Sequence, residues 1–366
     1  MHYPVTDEKA TLSELKTIIT ENEYDPEWDE FVQRNPAGFH EQTSIWGSVK
    51  RLEGWSVFRV KIKRNLNICA GFQILWKKKS IIGRIGYLSK GPLIDYPDPD
   101  LWNVIISQLK RTVRDYRIRA LVIIPGFYPS GNKLSFDQKD FFPGTLLPVI
   151  DTSLHIDLTK PEEYLLKSMR RSLRKDIKNQ EKLKFREGNE NDLAVFFELM
   201  VAACRRQGTP PNPPSYRYVK QLWRHFSPAG LIKLYIAENR ETNEIITASM
   251  ALIIRDVFIA WKIGWSGEYS GLNANSGIIW HMITKAKEAG YAIFDFVSVD
   301  YDTIMKIRKK EKLNKKILQS PTFFKSGFGG DIVRFPPAKI YIPGRILSGG
   351  YKLLNLLLPL FYAKNI

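Results

Sequence analysis

Hydrophobic and polar positions along the chain follow two periods, which predicts a mixed α/β protein. In the first half, runs of β-branched and aromatic residues predict three consecutive strands, and a helix and a further buried strand follow them. The predicted strands cover 55–62, 66–75 and 81–89, the helix 100–117 and the last strand 120–125. A short helix at 26–35 precedes them, with Trp28 and Phe31 on one face.

The second half repeats this order of elements. Its predicted elements are strands 231–237, 245–254 and 257–265, a helix at 276–288 and a strand at 291–297. Two helices, 191–206 and 215–226, precede them and are separated by the proline-rich stretch 208–214, which no helix crosses. Such a repeat, with little residue identity between the halves, predicts a duplicated α/β module.

The repeat sets the predicted domain organisation. A first module covers 1–155, a second covers 156–335, and a tail covers 336–366. A helix at 160–182 would join the modules through an apolar stripe flanked by basic residues; the stripe consists of Leu165, Met169, Leu173 and Ile177. The leucine-rich part of the tail, 353–362, is too short to span a bilayer. We expect the tail either to return to the first module or to lie at a membrane interface through 351–366.

Composition narrows the class of protein. Of the 366 residues, 44% are hydrophobic and 25% are charged, which is typical of globular chains and excludes a fibrous or disordered one. Two cysteines, Cys69 and Cys204, form no disulfide framework and indicate buried thiols in a reducing compartment. The first fifteen residues contain no apolar signal segment. We therefore expect a cytoplasmic protein, which the tail would bring to the inner face of the membrane in one interpretation.

The charge is strongly positive and concentrated in two places. The chain has 55 Lys and Arg against 38 Asp and Glu, a net charge of +17. The predicted joining helix carries one cluster, and the other lies at Lys306, Arg308, Lys309, Lys310, Lys312, Lys315 and Lys316. These clusters are either solvated helical faces or surfaces for an anionic substrate, tRNA phosphates or anionic lipid. Charge alone does not separate these partners.

Several common catalytic motifs are absent from the sequence. It contains no CxxC, HExxH, P-loop or GxSxG pattern, and the five histidines have no ligand spacing. Cys204 lies in an apolar helical stretch, which indicates a structural thiol rather than a nucleophile. Conventional hydrolase and metalloenzyme interpretations are therefore disfavoured, and no metal site is predicted.

A set of spaced motifs resembles the FemAB/FemX-like aminoacyltransferases of peptidoglycan bridge synthesis. The motifs are WDEF at 28–31, Gly38, QTSIW at 42–46 with Lys50, GYLSKGP at 86–92 with Asp95, Arg174 with Ile177 and Lys178, FDF at 294–296 and FFKSGFGG at 323–330. Each motif alone is weak. Their order and spacing over about 300 residues make the resemblance specific.

This resemblance implies two tandem GNAT-like modules and an acyl transfer from aminoacyl-tRNA to an amine of a cell-wall precursor. Lys325, with Phe324 beside it, would be catalytic, because a cation on a glycine-flanked loop suits a developing oxyanion. Lys50 would bind an acceptor phosphate. Further substrate contacts are implied for Trp46, Tyr87, Asp95 and Arg174. The acceptor would be an anionic peptidoglycan or surface-polysaccharide precursor.

The sequence leaves two candidates for the acyl donor, aminoacyl-tRNA and acyl-CoA. CoA-dependent GNAT enzymes hold pyrophosphate on a glycine-rich loop before a helix. The stretch 264–275 does not fit that loop and contains Glu268, while Pro92 in the first module lacks the required N–H. We therefore expect no bound cofactor and favour aminoacyl-tRNA over acyl-CoA. A CoA-dependent N-acyltransferase acting on a sugar- or lipid-linked amine, and a non-catalytic binding protein of the same fold, are the alternatives.

Overall fold

The computed structural model of the protein describes residues 15–79, 83–128, 136, 140–144, 149–344, 348–349 and 351. These residues form two compact units. The first unit contains the described residues up to Val149 together with those from Pro336 onward, and the second contains Ile150–Phe335. Each unit has its own hydrophobic core.

The strands, in chain order, are β1 (Leu15–Thr20), β2 (Ser56–Arg64), β3 (Asn67–Lys79), β4 (Gly83–Ser89), β5 (Leu93–Ile94), β6 (Ile118–Ile124), β7 (Phe141–Pro143), β8 (Thr152–Asp157), β9 (Leu183–Glu187), β10 (Ile232–Asn239), β11 (Ile245–Ile254), β12 (Val257–Trp265), β13 (Ile293–Asp295), β14 (Asp331–Arg334) and β15 (Lys339–Tyr341). The helices are α1 (Pro26–Arg34), α2 (Ser44–Arg51), α3 (Pro99–Asp115), α4 (Glu162–Ser168), α5 (Arg171–Lys178), α6 (Leu193–Arg206), α7 (Tyr216–Phe226), α8 (Ala274–Glu288), α9 (Tyr301–Arg308), α10 (Lys315–Leu318) and α11 (Pro321–Ser326).

The sheets of the two units share one strand order. Among the described residues, the first sheet runs β1-β2-β3-β4-β6-β15-β7, with β5 paired to β3, and the second runs β9-β10-β11-β12-β13-β8-β14. In both sheets only the fourth and fifth strands of this order are parallel, and all other neighbours in it are antiparallel. The duplication predicted from the order of elements is present in the strand pairing.

The sixth position of each sheet is filled by a strand that is distant in sequence from its neighbours. β8 is the first strand of the second unit and pairs with β13 and β14. β15 follows the second unit but pairs with β6 and β7 in the first. The start of the tail thus returns to the first sheet, while the leucine-rich stretch 353–362 lies outside the described residues.

The predicted continuous joining helix at 160–182 is wrong. The segment forms α4 and α5, with extended backbone at Met169 and Arg170 between them. The Arg170 backbone N–H donates to the Gly327 carbonyl at 2.8 Å, and its guanidinium donates to the Phe323 carbonyl at 3.1 Å. These tertiary bonds outweigh the local helical pattern. The apolar stripe is nevertheless directed inward, because Leu165, Met169 and Leu173 are buried.

Trp28 and Gln42 of the N-terminal motif have structural roles in the first unit. The Trp28 indole donates to the Gln42 carbonyl at 2.6 Å, and Trp28 is fully buried. A Cβ at Gly71 would lie 2.7 Å from the Trp28 ring and 2.3 Å from the Val60 carbonyl oxygen. Only glycine therefore fits at this position of β3.

The cysteines are partly as predicted. Cys69 is buried, and burial raises the pKa of its thiol. Cys204 is half-buried rather than buried. No helix in the described part of the chain has the length and apolar character needed to cross a membrane.

Candidate active site

In the second unit the two parallel strands separate and leave a cavity. β12 and β13 pair only at Val257–Ile293, Phe258–Phe294 and Ile259–Asp295, after which β12 continues to Trp265 paired with β11 but no longer with β13. A β-bulge at this point shifts the pairing of β12 with β11, so that Trp261 falls between two paired residues. The resulting cavity measures about 310 Å³. Splayed strand ends of this kind are common ligand sites in open α/β sheets.

The walls of the cavity combine apolar surface with a few polar groups. The apolar side chains come from β12, from α8 and from α11, which covers one side. The lining residues are Gln207, Ser249, Ala260, Trp261, Lys262, Ile263, Asn275, Ile279, Phe296, Gln319, Ser320, Pro321, Phe324 and Lys325. Both residues predicted to be catalytic, Lys325 and Phe324, therefore line one cavity.

Lys325 lies in the last turn of α11 and not on a flexible loop, which corrects the sequence-based expectation. Ser320 caps this helix by accepting from the Phe323 N–H, and Pro321 occupies its first turn. The Lys325 ammonium donates to the Phe296 carbonyl at 2.9 Å and to the Ser298 carbonyl at 2.7 Å. An ammonium has three donors, so one N–H is left for another acceptor.

Burial and a neighbouring carboxylate have opposite effects on the pKa of Lys325. Burial lowers the pKa of Lys325 to about 8; the nearby Asp295 carboxylate opposes this shift, and Lys262 adds to it. The side chain is therefore a cation near neutral pH, but it loses its proton far more readily than an exposed lysine.

Phe324 is part of the second core as well as of the cavity wall. Its ring packs edge-on against Phe328, with the centroids 5.4 Å apart. Phe328 is fully buried and packs in turn against Phe296. The aromatic residues of the FFKSGFGG motif thus fix the helix that carries Lys325.

Asp295 is the chemically most important residue that sequence reasoning did not assign to the site. Its carboxylate is buried, accepts from the Ser153 hydroxyl and the Val297 N–H, and lies 3.5 Å from His155 Nε2. Burial raises its pKa, but His155, Ser153 and Val297 outweigh that effect, and the pKa of Asp295 is lowered overall. The signal in the sequence was an acidic residue inside the apolar FDF strand, where an isolated charge is costly.

Arg174 does not line this cavity. It is half-buried on α5, with its guanidinium 3.4 Å from the Lys167 carbonyl. Arg170 is the basic residue of this segment that contacts α11, because its guanidinium lies 4.0 Å from the centre of the Phe323 ring. The substrate contact implied for Arg174 stays a prediction.

The remaining predicted residues lie in the first unit. Trp46 is buried, and the Lys50 ammonium lies 4.9 Å from the centre of its ring and 3.0 Å from the Glu53 carboxylate. Tyr87 is half-buried on β4, and burial together with Glu41 raises its pKa. These two groups are separate features of the first unit, and their roles in binding stay predictions.

Asp95 has a clear structural role. It accepts from the Arg34 guanidinium at 3.0 Å, and its backbone N–H donates to the Cys69 carbonyl at 3.0 Å. Burial raises its pKa, an effect that Arg34 and Asn35 oppose. Asp95 also lines a separate cavity of about 580 Å³ with Arg34, Arg64 and Glu30. It therefore fastens α1 to the sheet at the edge of a polar cavity.

The N-terminus of α8, where a CoA enzyme would hold pyrophosphate, is covered. The Asn273 side chain that precedes α8 donates to Asp176 of α5 at 3.2 Å. A Cβ at Gly277, in the first turn, would lie 2.2 Å from the Gln180 side-chain oxygen. The end of the joining segment thus places a carboxylate and an amide against this helix terminus.

No group of three or more His, Cys, Asp or Glu side chains that would hold a metal ion occurs within the described ranges.

Comparison with known proteins relates each half of the chain to a family. Residues 19–134 match the FemAB family, and residues 167–302 match an acetyltransferase (GNAT) domain. The lipid II:glycine glycyltransferase of Staphylococcus epidermidis is 26% identical over 201 residues, which cover 51% of this chain and 48% of that protein. The chain spans about half the length of the curated relatives that it matches.

Two solved structures are similar to this chain over most of its length. The crystal structure of FemX superposes with a TM-score of 0.76 at 16% identity and covers 92% of this chain and 99% of that one. A tandem GNAT protein from the clavulanic acid biosynthesis pathway superposes with a TM-score of 0.51 at 8% identity, covering 91% and 99%. The predicted fold is confirmed, as is the resemblance to the FemAB family: the chain is a FemAB-like protein built from two tandem GNAT-like modules.

Proposed function

We propose that the chain is an acyltransferase that passes an aminoacyl group to an amine of a cell-wall peptidoglycan or surface-polysaccharide precursor. The observation that carries this proposal is the Lys325 ammonium, held by two carbonyls at the wall of the cavity between β12 and β13. A fixed cation at the wall of a small cavity provides what an acyl transfer requires, because negative charge develops on the carbonyl oxygen.

The chemical step balances without a further reactant. The acceptor amine attacks the carbonyl carbon of the aminoacyl ester, and the third N–H of Lys325 donates to the resulting oxyanion. The attack forms the C–N bond; the tetrahedral intermediate then collapses, the C=O bond re-forms as the ester C–O bond breaks, and the amine proton passes to the departing ribose oxygen. Lys325 stays protonated throughout and acts as a hydrogen-bond donor, not as a base.

The size and lining of the cavity support a small acyl group. A volume of about 310 Å³ is at the low end for ligand sites. Ala260, Ile263 and Phe324 give it apolar surface, while Ser249 and Asn275 add polar groups. This combination suits the short side chain and free amine of an aminoacyl ester.

The covered N-terminus of α8 supports a donor other than acyl-CoA. A pyrophosphate there would meet the Asp176 carboxylate, which lies 3.2 Å from the Asn273 amide. It would also have to displace Gln180 from its contact with Gly277. Like charge and lost space both oppose pyrophosphate binding at this position.

A basic surface beside the cavity supports RNA as the donor. α9, α10 and the turn between them expose a set of cations that form no ion pair with a described carboxylate: Lys306, Arg308, Lys309, Lys310, Lys312, Lys315 and Lys316. The turn after α10 continues directly into Gln319 and Ser320 of the cavity wall. A polyanion bound to this basic surface would present its end to Lys325.

The basic surface is also held firmly against the catalytic helix. The Thr322 hydroxyl of α11 accepts from the Asp300 N–H at 2.9 Å, and Asp300 caps α9 by accepting from the Thr303 N–H. Ile304 of α9 is fully buried in the second core. Phosphates bound to the surface would therefore lie at a fixed distance from the cavity.

The curated relatives support the acceptor class. The staphylococcal proteins are named for lipid II, and on that basis we propose a lipid-linked or nucleotide-linked wall precursor for this chain. Lys50 and Trp46 of the first unit are the candidates for its anionic group, and Tyr87, Asp95 and Arg174 for further contacts. A peripheral membrane contact through 351–366 would bring the enzyme to such a substrate.

The test of the activity is donor screening on the full chain. Purified protein is incubated with a wall-precursor extract and either radiolabelled aminoacyl-tRNA or radiolabelled acetyl-CoA. We expect RNase-sensitive transfer from tRNA that Lys325→Met abolishes and that Lys285→Met, an exposed lysine on α8, leaves intact. Transfer from acetyl-CoA alone would establish the alternative enzyme. No transfer from either donor, with the protein still binding RNA, would favour the non-catalytic protein.

The basic surface has its own test. The double change Lys315→Glu/Lys316→Glu should raise the KM for aminoacyl-tRNA at least ~10-fold and flatten its salt dependence. Transfer from an aminoacyl ester of adenosine, which lacks the phosphates, should be unchanged. The matched control is Lys220→Glu/Lys285→Glu, on other helices of the same unit. An unchanged KM, with loss of binding to anionic vesicles instead, would make the surface a lipid contact.

A further inference from the structure

The chain makes a strained turn directly after β13. Val297 has a φ of 69°, in the left-handed region that β-branched residues rarely adopt. The Ser298 N–H donates to the Phe296 carbonyl at 2.9 Å, across one intervening residue. A bond of this span with a positive φ at its centre is the rare, strained form of the γ-turn. The predicted strand at 291–297 ends early for this reason.

The turn determines where two carbonyls point. Phe296 and Ser298 flank Val297, and both carbonyls accept from the Lys325 ammonium. In an extended strand, carbonyls two residues apart lie roughly 6.6 Å from one another, too far for one ammonium to bond both at normal distances. Tightening the chain at Val297 brings the two acceptors together.

Asp295 holds the turn from the other side. Its Oδ1 accepts from the Val297 N–H at 2.6 Å and from the Ser153 hydroxyl of β8. Its Oδ2 lies 3.5 Å from His155 Nε2, also on β8. The carboxylate is buried, and its two hydrogen bonds fix its orientation.

We propose that Asp295 is a positioning residue, which clamps the strained turn at 296–298 so that its two carbonyls hold the Lys325 ammonium at the cavity wall. This role rests on the proposed function only for its kinetic consequence. Backbone strain that persists because surrounding bonds over-determine it is a recurring feature of functional sites. Here the Ser153 hydroxyl and the Val297 N–H supply those bonds, and His155 Nε2 lies 3.5 Å from the other carboxylate oxygen.

The clamp also acts through charge. The charged groups that act on Lys325 are Asp295 of β13 and Lys262 of β12, and the titratable side chain beside the Asp295 carboxylate is His155 of β8. Burial lowers the pKa of Lys325 to about 8, with Asp295 opposing the shift. Removing the Asp295 charge must lower that pKa further, because the ammonium then lacks its nearby anion.

The experiment measures the protonation of Lys325 directly. The ¹³Cε resonance of Lys325, assigned by its loss in Lys325→Met, is titrated in the wild-type protein, in Asp295→Asn and in Asp256→Asn. Asparagine at 295 keeps the acceptor for the Val297 N–H and removes only the charge. We expect its midpoint to fall by about one pH unit, and Asp256→Asn, which alters an exposed carboxylate between β11 and β12, to leave it unchanged.

Kinetics then separate positioning from mere stability. In Asp295→Asn the alkaline limb of kcat should move down with the midpoint, so that turnover falls about fivefold at pH 8 and recovers at lower pH, with KM unchanged. A uniform loss at every pH with an unmoved midpoint would overturn the proposal. The NMR midpoint needs no turnover, so failure of the proposed function leaves this test intact.

A second variant covers the case in which Asp295→Asn does not fold. Ser153→Ala removes one hydrogen bond from the carboxylate and leaves its charge and the strand in place. We expect a smaller fall of the Lys325 midpoint in the same direction. An unmoved midpoint in a folded Ser153→Ala protein, when Asp295→Asn does not fold, would also overturn the proposal.

Discussion

The two sheets have the same strand order but open at different places. In the first unit the parallel strands β4 and β6 pair at six positions, from Arg84–Ile118 to Ser89–Ile124. In the second unit the equivalent strands β12 and β13 pair at three. The two parallel strands thus stay paired in the first module and splay apart in the second. Lys325 lies at the wall of the cavity that the splayed strands leave.

The first sheet opens one strand earlier, and a side chain fills the gap. β3 and β4 stop pairing after Leu75–Tyr87. The Gln42 amide enters this gap: its oxygen accepts from the Gln73 N–H at 2.8 Å, and its nitrogen donates to the Ser89 carbonyl. Gln42 is fully buried. A gap of similar origin is therefore a structural joint in one module and a cavity in the other.

This difference shows that strand order alone does not locate a site. Both sheets have the order expected of a GNAT-like module, yet among the described residues it is the second that combines splayed parallel strands with a half-buried lysine at a cavity wall. The chemistry depends on which side chain occupies the opening. The substitutions considered next alter either the gap that Gln42 fills in the first sheet or the cavity in the second, and leave the other one unchanged.

The largest effect is expected for Lys325→Met. Methionine keeps most of the apolar length of the side chain and removes the donor, so turnover should fall ~10²–10³-fold. Thermal denaturation should show an unchanged or slightly higher Tm, because a partly desolvated charge is removed. Near-normal turnover in a folded variant would end the oxyanion role of this residue.

The next effect concerns the filled gap. Gln42→Ala leaves the Gln73 N–H and the Ser89 carbonyl without their buried partner, so the free energy of unfolding should drop by about 2–4 kcal/mol. Urea denaturation measures this loss. The matched change Gln207→Ala, at the wall of the open cavity, should cost less than ~0.5 kcal/mol. Equal losses at the two sites would remove the distinction between joint and cavity.

The third effect is a pH dependence that belongs to the second module. Burial lowers the pKa of Lys325 to about 8, so its side chain is fully protonated well below pH 8 and loses its proton as the pH rises through that value. Turnover should therefore fall on the alkaline side with an apparent pKa near 8, by up to about tenfold per pH unit beyond it. Lys325→Arg should move this limb to higher pH if it retains activity. A limb unmoved by that change would assign it to another group.

The smallest effect is expected for Val297→Gly. Glycine adopts a positive φ without strain, but it loses more entropy on folding, so the two terms nearly cancel. We expect a change within about 1 kcal/mol in the free energy of unfolding and unchanged turnover. The control Val299→Gly, at a buried position without a positive φ, should destabilise clearly. A large loss at Val297 alone would mean that its side chain, not its backbone, maintains the turn.

Much of the fold could be predicted from local patterns. β11 and β12 begin and end where periodicity placed them, because both are continuous apolar strands flanked by turn residues. The return of the tail to the first module was one of the two expectations for it. The insertion of β15 between β6 and β7 and of β8 between β13 and β14 could not be predicted, since a short apolar strand carries no signal of its partner. The break at Met169 and Arg170 was missed for the same reason, because its cause is a contact with Gly327, far along the chain.

The site was predictable only in part. The motif around Lys325 identified the lysine and its aromatic neighbour, but not the helix in which they lie. Asp295 was visible as a charge in an apolar strand, yet its role depends on a φ at Val297 that no residue pattern indicates. Asp95 and Gln42 show the converse, since residues of family-like motifs fasten the first unit internally.

The position of β15 has a consequence for synthesis on the ribosome. β15 lies between β6 and β7 in the first sheet, yet it follows the whole second unit in the chain. The nascent first module therefore keeps an unpaired inner edge until the second unit has been synthesised. Domains usually fold in the order in which they emerge, but here the module that emerges first is completed last.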